Sequence, residues 1–208
     1  GGSFGDLVES TLVLDIAVRV QRRLRGHLPR ATVVLTRTGD DALGLDERTA
    51  MANSLGADLF LSLHLNASDE PITTGGVTTF VLDATNDESA LRLAARENGT
   101  RVNEVTGIQR LIARLHRREQ VGSAREFAAL LHEHTLEGGR RVLPTLEDRG
   151  VRSAMFYVLV GARMPAVLLE ASFLSKPEEA AALRTVEYRD ALADGIAEGI
   201  VRYLSRDQ

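Results

Sequence analysis

Apolar residues at 12, 13, 16, 17, 20 and 24 fall on one helical face, which predicts an amphipathic helix over 11–25 that Gly26 ends. The β-branched run TVVLTR (32–37) predicts a short strand. LDERTAMANSLG (45–56) begins with an acidic turn and closes at Gly56, so a second helix is expected there. ADLFLSLHLN (57–66) is nearly continuous in apolar residues, as suits a strand covered on both faces. GGVTTFVL (75–82), AMFYVLV (154–160) and PAVLLE (165–170) predict three more strands. Pro177 suits the first turn of a helix at 176–183. Tyr188, Leu192, Ile196, Ile200 and Leu204 recur at four-residue steps through a last helix, 186–204.

Strands alternating with helices predict one α/β domain spanning 1–208, a twisted, mostly parallel β-sheet flanked by helices. The stretch 86–141 breaks that rhythm: Val105, Ile108, Ile112 and Leu115 form a narrow helical stripe, and SAREFAALLHEH follows Gly122. It reads as a helical insertion within the domain. There is no internal repeat or low-complexity segment.

Composition removes several classes of function. Twenty-five Lys+Arg against twenty-nine Asp+Glu leave a net charge of −4, which gives no basis for nucleic acid or an anionic membrane as partner. No apolar run reaches the roughly eighteen residues of a membrane span, so membrane insertion is not expected, and no signal peptide is visible. With no cysteine, disulfides, thiolate zinc sites and cysteine nucleophiles are all excluded. A metal site must draw on His, Asp or Glu. No Gly-x-Ser-x-Gly elbow is present for a serine hydrolase.

Ligands of open α/β sheets gather at the carboxyl ends of strands. His64 stands near the end of LFLSLHL, and Glu170 ends PAVLLE. A carboxylate directly after Val-Leu-Leu is costly to bury without a cation or a proton. Glu9 precedes the first helix, where the helix dipole favours an acid. Each residue also has an ordinary reading: a satisfied core histidine, a surface glutamate, a helix-start acid.

ESTLVLDIAVRVQRRL, VVLTRTGDDALGLDERTAMANSLGADLFLSLHLNAS, GGVTTFVL and PAVLLEASFLSKPEEAAAL resemble successive segments of the zinc-dependent N-acetylmuramoyl-L-alanine amidases, the branch similar to bacterial cell-separation enzymes. The matches run in the family's order from about residue 5 to 204 and are weakest across 99–141. LDERTAMAN, SLHLNAS and LLEASFLSKPEE are the most specific. The resemblance implies one zinc ion held by Glu9 and His64, with Glu170 as the catalytic carboxylate. It assigns Arg48 and Asn53 to packing and strand-end geometry, and Asn66 to orienting the loop after His64. The implied reaction hydrolyses the amide between N-acetylmuramic acid and L-alanine in peptidoglycan, in the periplasm or outside the cell. It also implies a lid: the insertion, with Glu104 and Glu119 able to reach the metal, would be moved by an activator protein.

One departure stands out. The family opens with a strand and an Asp-x-Gly-His-Gly-type turn whose His is the first zinc ligand, and GGSFG has no such residue. His27 is about 27 Å along the first helix from Glu9 at roughly 1.5 Å per residue, too far to substitute. His116, His132 and His134 read as surface residues. The expectation is that residues preceding Gly1 in a longer protein supply the strand and the ligand. Two alternatives are a catalytically inactive relative that binds peptidoglycan or a division protein, and a different zinc hydrolase such as a carboxypeptidase. LLEASFLSKPEE argues against the second.

Overall fold

The computed structural model describes residues 3–39, 43–67, 75–105 and 118–206. Its centre is a four-stranded sheet of β3 (Phe60–Asn66), β4 (Val77–Leu82), β5 (Asp148–Ala154) and β6 (Ala166–Phe173), in the order β3-β6-β4-β5. β3 pairs with β6 and β4 with β5 in parallel, while β4 and β6 are antiparallel. A small hairpin, β1 (Ser3–Phe4) with β2 (Leu7–Val8), leads into α1 (Glu9–His27). The remaining helices are α2 (Leu45–Ser54), α3 (Glu88–Asn98), α4 (Arg118–Arg140), α5 (Pro177–Arg184) and α6 (Val186–Ser205).

β4 and β6 are buried along their whole length because helices cover both faces. Side chains alternate across the sheet. On one face Val167 and Leu169 pack with Ile16 of α1, Phe127 and Leu131 of α4, and Leu192 and Ile196 of α6. On the other, Ala166 and Leu168 join Phe60, Phe80, and Ala90 and Ala94 of α3. Glu170 shares the second face by the same alternation, and its register partner on β3 is His64.

Several sequence expectations need correction. Gly26 does not end the first helix, which continues to His27. The apolar run 154–160 is not a strand. Met155, Phe156, Val158 and Leu159 are buried in the second core cluster around a short 3₁₀ turn, Tyr157–Leu159. The strand lies just upstream, in the polar and half-buried β5. There Gly150 (φ 73°) allows a bulge opposite Val77–Thr79. TVVLTR forms no ladder either: 31–35 is irregular and is held by side chains, Gln21 donating to Val33 O at 2.8 Å. His132 is buried, not on the surface, and bridges Thr79 Oγ1 at 3.2 Å and Asp148 Oδ1 at 2.9 Å. Ile108, Ile112, Leu115 and His116 lie outside the described residues.

α4 and α6 approach closely because glycines line their contact. A Cβ on Gly195 would run into the His134 carbonyl, and one on Gly138 into the Ala191 carbonyl. Gly26, within α1, has no such neighbour. Gly195→Ala should therefore cost about 1–3 kcal/mol through overpacking. Gly26→Ala should gain about 0.5–1 kcal/mol from helix propensity. Urea denaturation of the two variants checks the opposite signs.

Candidate functional site

Three separate elements deliver acids to one imidazole. His64 and Glu170 are register neighbours on parallel strands and project from the same face. Glu9 is the first residue of α1; its Oε1 lies 3.1 Å from His64 Nδ1 and accepts from Leu65 N at 3.4 Å. Glu97, near the end of α3, places Oε2 3.3 Å from the same Nδ1. On the other side of the ring Nε2 meets Ser62 Oγ at 3.1 Å.

Local structure explains why Glu97 arrives there. Asp87 caps α3 by accepting from Ser89 N at 2.9 Å, and Gly99 ends it in the left-handed conformation at φ 65°. Asn98 then locks the helix end, donating to Met155 O and accepting from Tyr157 N, both at 2.8 Å. Arg96 donates to Ala67 O and, at 3.0 Å, to Asn66 Oδ1, tying α3 to the segment after His64.

The electrostatics call for a cation. Glu170 is fully buried, and neither of its oxygens has a hydrogen-bond partner. Burial pushes its carboxyl up to about 8; His64 opposes the shift, and Glu97 and Glu9 add to it. Burial alone would lower the His64 imidazole. The Glu9 hydrogen bond and the charges of Glu170, Glu97 and Glu9 outweigh it and raise its pKa. Ligand atoms of His64, Glu97 and Glu170 all lie within 4.8 Å of one another. One imidazole with orphaned and converging carboxylates is a donor set that fits a divalent ion such as zinc.

Glu9 and Glu170 both stand beside His64, while the group whose ligand atoms converge is His64, Glu97 and Glu170, with Glu97 a residue the sequence did not mark. Asn66 reaches the site only through Arg96. Arg48 donates to Thr36 Oγ1 at 3.0 Å and lines a cavity of about 270 Å³ beside His64 and Glu9. Asn53 is at the opposite end of the strands, where it pins Gly161 O at 2.9 Å and Arg163 N at 3.0 Å just before β6. Glu104 is exposed, and its carboxylate accepts from Arg101 N at 3.4 Å. Glu119 belongs to α4, with its side chain outside the described residues.

Sequence reasoning also missed Glu179. This buried carboxylate accepts from Gly76 N and Phe173 N at 2.7 Å and from Ser172 Oγ at 2.8 Å, stitching the start of β4 to the end of β6. Burial raises its pKa against those hydrogen bonds.

A family model described as N-acetylmuramoyl-L-alanine amidase matches residues 1–202. The chain belongs to that family. AmiA of Salmonella typhimurium is 34% identical to this amidase-family chain over 203 residues, covering 94% of it and 68% of AmiA. LytC of Bacillus subtilis is 34% identical over 205 residues, covering 97% of the chain but 32% of LytC. Among solved structures, the amidase AmiC2 of Nostoc punctiforme superposes with a TM-score of 0.73 at 26% identity, covering 99% of this chain and 89% of that one.

The ionisations set a pH dependence for the metal-free chain. Folded Glu170 keeps a proton up to about pH 8 that the unfolded carboxyl releases near 4.5, so the folded state binds more protons between them and stability falls as pH rises. The raised pKa of His64 acts with the same sign, its contribution being lost as pH climbs through its folded value. In chelator, the melting temperature should therefore drop from about pH 5 to about pH 8, and Glu170→Gln should flatten the drop. An equal slope in the variant would contradict this account.

Proposed function

We propose that this chain is a zinc-dependent N-acetylmuramoyl-L-alanine amidase that hydrolyses the muramoyl–L-alanine amide of peptidoglycan in the bacterial envelope. The observation that carries the reading is Glu170: a buried carboxylate with two unpartnered oxygens, beside an imidazole and two further acids, in a chain of this family. AmiA is named for the same activity. Among the described residues, no helix is long and apolar enough to cross a membrane.

In this reading His64 and Glu9 hold the ion, and Glu97 is a third donor within reach. Zinc, when bound, supplies Lewis acidity toward the scissile carbonyl and toward water. Glu170 takes the proton of the attacking water at a carboxylate oxygen and passes it to the leaving amine nitrogen of L-alanine. Its raised pKa suits a group that must both accept and return a proton near neutrality. Ser62 and Leu65 fix the imidazole and the Glu9 carboxylate, so the donors are held before substrate arrives. Of the region 86–141, α3 contributes Glu97 directly and α4 packs into the core, so we confine the lid role to about 100–120, the part an activator would move.

Glu170→Gln should lower release of L-alanine-terminated peptide from a muramoyl peptide by about 10²–10⁴-fold while zinc content stays near one per chain. His64→Ala should lose the zinc as well as the activity. Full hydrolysis by Glu170→Gln would reject the proton-transfer role. A wild-type chain that binds peptidoglycan without cleaving it would favour the inactive-relative reading.

A further inference from the structure

β3 and β6 finish at the end of the sheet that carries the acids, and the antiparallel strands β4 and β5 begin there, Thr78 opposite Glu170 and Val77 opposite Asp148. Phe173 pairs with Asn66, whose side chain turns to Arg96 of α3. Phe173 therefore continues the face that carries His64 and Glu170. Gly76 N and Phe173 N share the Glu179 carboxylate, so Gly76 stands beside Phe173 and puts no side chain between it and β5. Across that gap the guanidinium of Arg149, from β5, lies 5.7 Å from the centre of the Phe173 ring.

The position of Arg149 is fixed, but its charge is unanswered. Asp148 Oδ1 accepts from Gly150 N at 2.8 Å, and Arg152 Nε donates to Arg149 O at 3.1 Å, which holds the backbone on both sides. The arginines around it have acids: Arg152 has Asp87, Arg96 has Glu97 and Arg125 has Asp83. Arg149 has no carboxylate partner among the described residues. An aromatic face steadies a cation without neutralising it.

We propose that Arg149 holds an ionised carboxylate on the residue that follows L-alanine in the stem peptide, so that the chain prefers muramoyl peptides acidic at that position. The identity of the substrate rests on the amidase reading; the placement of the charge rests on reach. Phe173 is three residues past Glu170, at most roughly 10 Å along the strand at about 3.3 Å per residue. An extended peptide carries its second residue roughly 7 Å from the scissile nitrogen at the same rise, and a charge-assisted hydrogen bond adds about 2.8 Å. The two spans agree. Because the bulge and the Phe173 ring already hold the guanidinium, little ordering is left for the peptide to impose.

The test uses muramoyl-L-alanyl-γ-D-glutamyl-L-lysine and the same compound with the glutamyl α-carboxyl converted to an amide. The zinc-loaded chain cleaves the acid with a kcat/KM at least about tenfold above that for the amide, the difference lying in KM. Arg149→Gln erases the preference by weakening cleavage of the acid and leaving the amide unchanged, and Arg149→Lys keeps part of it. Calorimetric titration of Glu170→Gln with the two compounds gives the same ranking in Kd, and adding Arg149→Gln makes them bind alike. Equal cleavage of acid and amide by the wild-type chain overturns the proposal, as does a loss in Arg149→Gln that is the same for both. Failure of the wild-type chain to cleave either compound rejects the amidase reading instead. The titration then decides Arg149 by itself, and no preference for the acid in Kd overturns the assignment.

Discussion

Glu170 sits at the middle of the sheet, in a strand that helices cover on both sides, and its oxygens touch no hydrogen-bond donor. An ionised carboxylate in that position is held against a large desolvation cost. The fold surrounds it with donors that suit a divalent cation: an imidazole at the same register on β3, a helix-start acid from α1, and a helix-end acid from α3. Hydrophobic burial accounts for the rest of the sheet. It does not account for this corner, which is where the molecule departs from the most stable arrangement for its own sake.

Holding such a cluster requires the elements that carry it to be fixed. α1 is clamped to α6 by Arg19 and Arg23, which share Asp190 while Arg23 also reaches Asp194; Arg189 of α6 returns to Asp15 at 2.6 Å. Pairs of this kind contribute little stability one by one, but a network across two helices sets their register. That register places Glu9. α3 is fixed differently, by paired hydrogen bonds from Asn98 and Arg96 to backbone on either side of the site. Its acid is therefore held by a helix end and not by the sheet.

The sequence disclosed the site where chemistry interrupted a pattern. His64 and Glu170 stood out because each breaks an apolar strand, and a broken period is visible without a structure. Glu97 carried no such mark: beside Arg96 at the end of an amphipathic helix, it looks like any solvated acid, and only the Gly99 stop and the Asn98 lock turn it inward. β5 was illegible for the converse reason. As an edge strand with a bulge it has a polar, half-buried sequence, whereas the more apolar 154–160 owes its composition to the second core cluster. TVVLTR has the residues of a strand, yet a strand also needs an edge to pair with, and that condition is not written in local sequence.

The crowded acids and two guanidiniums without carboxylate partners among the described residues meet beside β3. The cavity of about 270 Å³ that Arg37 and Arg48 line is bounded also by Glu9, His64 and Glu97. The two guanidiniums put positive charge on the wall that faces these acids and so offset part of the repulsion among the carboxylates. They do so at a cost of their own, because burial and the charge of Arg37 lower the Arg48 pKa. The corner therefore balances like charges on both sides of β3, and Glu170, whose oxygens have no partner, is the group this balance leaves unsatisfied.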